Sequence, residues 1–554
     1  MKKLIENAKF MVFTFAMLIA VILLLGVQSN IACAATELTS DDGLWKFNTD
    51  GQIKNYLGSD TVVTIPAQLT SDGVTYNITK IPWSGLSWNN TITQINIGSN
   101  ITSIDNAPFV NMTSLINIEV ADQNQNYCDI NGVLYDKAKT KLMRFPQMNA
   151  AEVLEFPDTF VECNINALEN CTNVHILKIP ASYTERTSST GETIDGTAFP
   201  NLTTIEVMQG NTIFSSEEGV LYNYDKTTLV WYPCKKSATS FTFPNSVTAI
   251  QYRAFQNVAY LQNLNLTPNI EIIDDSFLGC NITSINNITT RQQYLNWDPT
   301  IKAIFQANLN AFGAQPFTIS LVDQEVQYAV DNYIEDGMND YQKIKALYNY
   351  VANKVSYTTG SDIGGMKDHC ISTIFLTDTS VCEGYALGMS LLLDKVGIEN
   401  CPVSGGNHAW NLVKINDIWL ELDPTWDDKG NYMSTRYFLK TTAEYTQMLH
   451  PQYVRPDSSM TSGAFTDFSY GVDKLSIYWP ESNLPQCNAI IGDIAPAVPD
   501  GVFTDADLYA MVNEIRGYFM YGQYGYYNVK ADMNRDGAIN QGDYDLLYEL
   551  VNAA

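Results

Sequence analysis

The 554-residue chain is too long for one hydrophobic core, at roughly 100–200 residues per domain, and reads as about three domains. With 45% hydrophobic, 12% aromatic and 17% charged residues it has a folded protein's composition, which argues against large disordered tracts. The 60 acidic side chains against 32 basic ones give a net charge of −28, with no basic stripe to release counterions, so nucleic acid is not expected as a partner.

Lys2 and Lys3 precede an apolar run from about Phe10 to Val27, followed by Ala32-Cys33-Ala34-Ala35. This pattern predicts a secretory signal peptide over residues 1–35, cleaved near Ala34 or Ala35. A retained anchor is the alternative for so long an apolar core, and lipidation at Cys33 is disfavoured by Asn30 standing where an aliphatic residue is usual. No later stretch is long and apolar enough to span a bilayer, so the rest is expected to be exported. Nine of the ten cysteines lie beyond the leader, an odd number at irregular spacing that does not describe a disulfide framework. No C-x-x-C pair offers zinc-ligand spacing.

An internal offset of 87 residues follows. Gly132-Val133-Leu134-Tyr135-Asp136 recurs as Gly219-Val220-Leu221-Tyr222-Asn223, Phe145-Pro146 as Tyr232-Pro233, Phe156-Pro157 as Phe243-Pro244, and Ala167-Leu168 as Ala254-Phe255. Shorter units of about 20–25 residues carry alternating aliphatics, as in Ile92, Ile95 and Ile97 or Leu261, Leu264 and Leu266. That is the pattern of one short strand per solenoid coil. These phrases resemble the bacterial surface-protein class of leucine-rich repeats over roughly residues 40–290. The resemblance implies a repeat domain, taken as 36–300, with a long face for binding a cell-wall or polymeric ligand; a rigid spacer is the plainer alternative. Cys171 and Cys280 fall where such coils bury small side chains and are read as structural.

After Ile301 the repeat gives way to a helical pattern in which Ile344, Leu347, Tyr348 and Val351 share one face. Tyr385, Met389, Leu392, Leu393 and Val396 then recur at helical spacing up to Gly397, so Cys382 begins a buried helix. The positive end of a helix stabilises a thiolate, and its free N–H groups, including that of Cys382, can hold an oxyanion. The His408–Ile415 and Ile418–Asp423 segments alternate around Asn416-Asp417, a two-residue hairpin turn that sets Trp410 opposite Asp423. His408 and Asp423 are then diagonal neighbours, roughly 7–8 Å apart in backbone and within side-chain reach. In this arrangement Cys382 is the nucleophile, His408 the base that takes and returns its proton, and Asp423 the carboxylate that orients the imidazole. A lone strand histidine is more often a core residue; the paired Asp423 and the separate Cys382 favour chemistry here. His175 lies in the repeats, His369 and His450 lack a carboxylate-bearing partner strand, and Cys370 and Cys401 lack the small-residue helix start.

Val381-Cys382-Glu383-Gly384-Tyr385-Ala386, His408-Ala409-Trp410-Asn411 and Asp423-Pro424-Thr425-Trp426, in that order, resemble the bacterial transglutaminase-like superfamily with its papain-like core. Tyr437-Phe438-Leu439 and His450-Pro451 extend the likeness, which covers roughly 320–485 within a domain taken as 301–485. It implies the same three roles for Cys382, His408 and Asp423. The sequence departs from the family at Cys370-Ile371-Ser372-Thr373, where no aromatic or amide side chain supplies a second oxyanion donor.

Residues 485–499 are rich in proline and alanine and read as a linker into a last module, 486–554. In the loop 532–543, Asp532, Asn534 and Asp536 stand at ligand positions 1, 3 and 5, Gly537 makes the turn, Ala538 offers its carbonyl, and Asn540 and Asp543 close the sphere of a calcium ion. Asp543 in place of glutamate, and the aliphatic helix after it, resemble a dockerin, which carries two such loops. The first loop, from Asp493, keeps Asp500, Thr504 and Asp507 but has Ala495 at a ligand position and about three extra residues. The resemblance implies a cohesin on a scaffoldin as partner and a place in an extracellular, cellulosome-type multienzyme complex at the cell surface.

The expected fold class is therefore multidomain: a leucine-rich-repeat β-solenoid, an α+β transglutaminase/papain-like domain, and a small all-α EF-hand-like dockerin. The expected function is that of a secreted cysteine peptidase or acyltransferase acting on a protein or peptide substrate, with structural Ca2+ in the dockerin. A non-catalytic adhesin, or a carbohydrate- or protein-binding component of the same complex, is the alternative.

Overall fold

A computed structural model describes residues 36–163, 165–184, 197–273, 275–313, 315–358, 370–405, 408–428, 435–448, 503–521 and 527–553, together with 485, 487, 489 and 491. Residues 1–35, expected as a signal peptide, and His369, His450, Asp493 and Asp500 lie outside the described residues. The chain forms two compact units, one of residues 1–201 and 208–211, the other of 202–207 and 212–554. Among the described residues no helix is long and apolar enough to cross a membrane. Among the described residues no disulfide joins any of the nine cysteines from Cys128 to Cys487.

In the first unit the alternating aliphatics form the expected coils. Strands Val62–Thr64, Gln94–Ile97 and Asn117–Val120 run parallel, with Val63, Ile95 and Ile118 in register and buried. Alternation turns Gln94 and Asn96 outward, where the Asn96 amide donates to Thr64 Oγ1 at 3.0 Å. Buried amides tie neighbouring coils: Asn124 Nδ2 donates to the carbonyls of Gly98 (2.8 Å) and Ile101 (3.0 Å). Such a side chain satisfies carbonyls that a tight coil leaves without a strand partner.

The 87-residue offset marks an inserted hairpin in each unit. Tyr127–Ile130 pairs with Val133–Asp136 around Asn131 and Gly132, both at positive φ (51° and 80°). Phe214–Glu217 pairs with Val220–Asn223 around Glu218 and Gly219 (50° and 79°). Two consecutive residues of positive φ give the turn whose twist suits a two-residue hairpin, which explains the recurring glycine. Each hairpin continues into a third strand across a bulge at equivalent places, between Leu134 and Tyr135 and between Leu221 and Tyr222.

In the second unit the last coils carry parallel strands Ser240–Thr242, Asn263–Asn265 and Ser284–Ile285. Helices α1 (Arg291–Leu295), α2 (Pro299–Ala307) and α3 (Leu309–Phe312) close this end of the solenoid. Phe312 stacks on Phe277 at 4.8 Å, and Gln315 donates to the Phe277 carbonyl and accepts from the Ile282 N–H. Helix thus begins ten residues before the expected break at Ile301, because α1 and α2 are too short to print a periodicity; their starts are fixed by a Thr290–Gln293 capping box and by Asp298 with Pro299.

Helices α4 (Pro316–Tyr333), α5 (Asp340–Lys354), α6 (Ile371–Leu376) and α7 (Cys382–Lys395) follow, then the antiparallel sheet Asn400–Gly405, His408–Ile415 and Ile418–Leu422, then α8 (Pro424–Asp427) and α9 (Thr442–Met448). The buried Asn411 amide donates to the Ala386 carbonyl at 2.9 Å and fastens the sheet to α7. The C-terminal helices α10 (Asp505–Tyr521) and α11 (Gln541–Ala553) flank the acidic loop. They were expected to form a self-contained module. Instead Leu508, Met511, Val529, Ile539 and Leu547 belong to one core with Tyr341, Leu347 and Phe438, since so small a helix pair has little apolar surface to enclose by itself.

Candidate active site

The start of α7 is built on close approach. A Cβ on Gly384 would lie 2.1 Å from Ser380 Oγ and 2.7 Å from Thr373 Oγ1, two hydroxyls that are themselves 2.7 Å apart and buried. Only glycine lets α6 and α7 meet there. Half-buried Cys382 is the first residue of α7, preceded by extended Val381, so its side chain stands at the end where the first-turn N–H groups lack intrahelical acceptors.

The hairpin carries its two residues in the expected register. Ile415 pairs with Ile418 across Asn416 and Asp417, both at positive φ, and Asn411 pairs with Leu422. Buried His408 donates from Nε2 to Asp423 Oδ2 at 2.7 Å, and Cys382 lies near enough to the same imidazole to add to its proton affinity. Burial lowers the imidazole's proton affinity, but the charge and hydrogen bond of Asp423, with a smaller contribution from Cys382, outweigh it and raise the pKa from 6.5 to about 10. The ring stacks on Trp410 (centroids 5.8 Å apart) and is flanked by Trp426 at 5.2 Å.

Asp423 is fully buried and held from every side. Its Oδ1 accepts the N–H groups of Thr425 (3.0 Å) and Trp426 (3.2 Å) as the N-cap of α8, with Pro424 at the first helical position. Its Oδ2 accepts the Tyr445 hydroxyl at 2.9 Å, and its carbonyl lies 2.8 Å from the Tyr348 hydroxyl, which donates to Asp427 Oδ2 at 2.5 Å. The sequence reading missed Tyr445 and saw Tyr348 only as part of an apolar face. No local pattern links either to Asp423, because both arrive on separate helices. Cys370 and Cys401 are buried, and His175 lies in the first unit. Ser372 and Thr373 are buried in α6.

In the acidic loop, Asp532 accepts the N–H groups of Asp536 (3.1 Å) and Gly537 (2.8 Å) and the Tyr527 hydroxyl (2.7 Å). Asp543 accepts those of Asn540 (2.9 Å) and Asn534 (3.3 Å), while Asn534, Asp536 and Asn540 accept the N–H groups of Asp536, Ala538 and Gly542. Burial raises the carboxyls of Asp532 and Asp543, and neighbouring Asp536 adds to both. Gly537 turns at φ 93°. The all-oxygen donor set and the mutual repulsion of its carboxylates suit a hard cation, although among the described residues no three His, Cys, Asp or Glu side chains are gathered as a metal cluster. Thr504 and Asp507 are engaged with each other at the start of α10, the Thr504 N–H and hydroxyl both donating to Asp507 Oδ2 at 2.9 Å.

Residues 328–424, which include Cys382, His408 and Asp423, match the transglutaminase-like superfamily. Residues 67–132 and 230–318 match the BspA-type leucine-rich-repeat region in six copies. Among solved structures, a leucine-rich cell surface protein from Faecalibacterium prausnitzii is 20% identical over 46% of this chain and 77% of that one, with a TM-score of 0.31. The pneumococcal vaccine antigen PcpA is 16% identical over 46% and 72%, with a TM-score of 0.27. A TGase is 18% identical over 24% of this chain and 37% of that one, with a TM-score of 0.18. A search of curated proteins finds no match. The chain thus carries BspA-type leucine-rich repeats and, after them, a transglutaminase-like domain.

Proposed function

We propose that the protein is a secreted cysteine-dependent amide-bond enzyme, a peptidase or acyltransferase. Cys382 is its nucleophile, His408 its general base and acid, and Asp423 its orienting carboxylate. The observation that carries this reading is the 2.7 Å bond from His408 Nε2 to buried Asp423, with Cys382 at the start of α7 near enough to the ring to add to its proton affinity. His408, which Asp423 keeps protonated, already holds the proton taken from the thiol when the Cys382 sulfur attacks the carbonyl carbon of the substrate. The first-turn N–H groups of α7 stabilise the oxyanion, and the C–N bond breaks as His408 returns the proton to the leaving amine. The acyl-enzyme is then resolved by water or by an acceptor amine, so hydrolysis and transamidation differ only in that second step.

The repeats are read as the part that meets a cell-wall or polymeric target. The 532–543 loop is read as a calcium site held by Asp532, Asn534, Asp536, Ala538, Asn540 and Asp543, within a dockerin that attaches the enzyme to a scaffoldin cohesin. The test of the enzyme reading is Cys382→Ala in the full chain, assayed on a peptide library with and without added amine. Turnover and amine incorporation are expected to vanish with the melting temperature nearly unchanged; residual activity within about tenfold of wild type would remove Cys382 from the role of nucleophile.

A further inference from the structure

The acidic loop reaches the catalytic domain through one side chain. Arg535, at positive φ (59°), is buried between the loop and the domain. Its Nε donates to the Leu439 carbonyl at 3.1 Å, and its terminal nitrogens donate to the carboxylate of Glu444 (3.1 Å at closest) and to the carbonyls of Met533 (3.2 Å) and Asp532 (3.4 Å). Glu444 is also the acidic half of a capping box, accepting both the N–H and the hydroxyl of Thr441 at 2.8 Å. The next residue, Tyr445, donates to the Asp423 oxygen that binds His408 and stacks on Trp410 at 5.6 Å. A second route leaves the same arginine: its carbonyl accepts the Tyr341 hydroxyl at 2.8 Å, and two turns along α5 the Tyr348 hydroxyl donates to Asp427 Oδ2 at 2.5 Å and lies 2.8 Å from the Asp423 carbonyl.

From this geometry we infer that Arg535 is a positioning residue for the His408–Asp423 pair: by clamping the first turn of α9 through Glu444, it sets where Tyr445 holds Asp423. The C-terminal loop is then a brace of the transglutaminase-like domain. The inference deepens the proposed enzyme reading and rests on Asp423 acting as the orienting carboxylate. A buried guanidinium with a fork of partners suits such a task, because its planar geometry fixes direction as well as charge.

The test uses the full chain with Arg535→Ala, Tyr445→Phe and the double variant. Two readouts are needed: turnover of a small amide, and the pH dependence of Cys382 alkylation mapped by mass spectrometry, which requires no substrate. Arg535→Ala is expected to lower kcat about tenfold with little change in KM, as a small misplacement of a catalytic group does, and to shift the midpoint of the alkylation profile. Because the effect passes through Tyr445, adding Arg535→Ala to Tyr445→Phe is expected to shift that midpoint no further. Should the alanine variant fail to fold, Arg535→Lys keeps the charge, loses the fork and is expected to show the same shift in smaller measure. An unmoved alkylation profile, or shifts that add in the double variant, would overturn the inference. A wild-type protein without turnover would overturn the enzyme reading, and the alkylation profiles would still decide the brace by the same criteria.

Discussion

Replacing Asp423 by asparagine exchanges one oxygen for an NH2 group and probes the whole pair. The amide oxygen can still accept the N–H groups of Thr425 and Trp426, so the cap of α8 survives. The amide nitrogen then occupies the place of Oδ2, where both the Tyr445 hydroxyl and His408 Nε2 are donors. The Tyr445 hydroxyl can turn to accept from the amide, but the bond from His408 to a buried carboxylate is lost, at about 1.5–3 kcal/mol. The imidazole can avoid the clash by accepting at Nε2, but its proton then sits on Nδ1 and it cannot take one from the thiol. A tautomer error of this kind costs on the order of 10⁴ in kcat in serine proteases, and D423N is expected to fall by about 10²–10⁴. Stability adds a second signature. His408 is raised from 6.5 to about 10 chiefly by Asp423 acting against burial. That stabilisation of the protonated ring is complete below about pH 6.5 and is lost as pH rises through about 10. The gap in melting temperature between wild type and D423N is therefore expected to be widest below pH 6.5 and to narrow toward pH 10. Scanning calorimetry across that range, beside kcat on a small amide, is the assay. A gap that stays flat, with kcat within tenfold of wild type, would refute the reasoning.

Two further outcomes are expected. Gly384→Ala forces a methyl group to within 2.1 Å of Ser380 Oγ and 2.7 Å of Thr373 Oγ1; it should cost about 1–3 kcal/mol in urea unfolding and displace the start of α7, and full activity with unchanged stability would show that α6 has room to give. Calcium at 100 times its dissociation constant should stabilise the second unit by about 2.7 kcal/mol, read as a rise in melting temperature over EDTA that Asp536→Ala abolishes. Because Arg535 lies in the same loop, chelation is also expected to lower turnover, and EDTA-insensitive kcat would separate the loop from the site.

Much of the site was legible in the sequence because its geometry is local. A two-residue turn at Asn416-Asp417 fixes the hairpin register, the register sets His408 beside Asp423, and the spacing of Tyr385, Met389 and Leu392 puts Cys382 at a helix start. The repeats were legible for the same reason: alternation within a strand and an 87-residue recurrence are properties of the chain itself, and the hairpin turns and bulges recur with that offset. What the sequence could not state is which distant segments close around these local pieces. Tyr348 and Tyr445 reach Asp423 across 75 and 22 residues of chain, and Arg535 reaches Glu444 across 91. The C-terminal loop reads as a separate module because its own spacing is complete. Its integration with the domain is decided by burial of Met511, Val529, Ile539 and Leu547 in a shared core, a tertiary choice made by apolar area that neither segment can enclose alone.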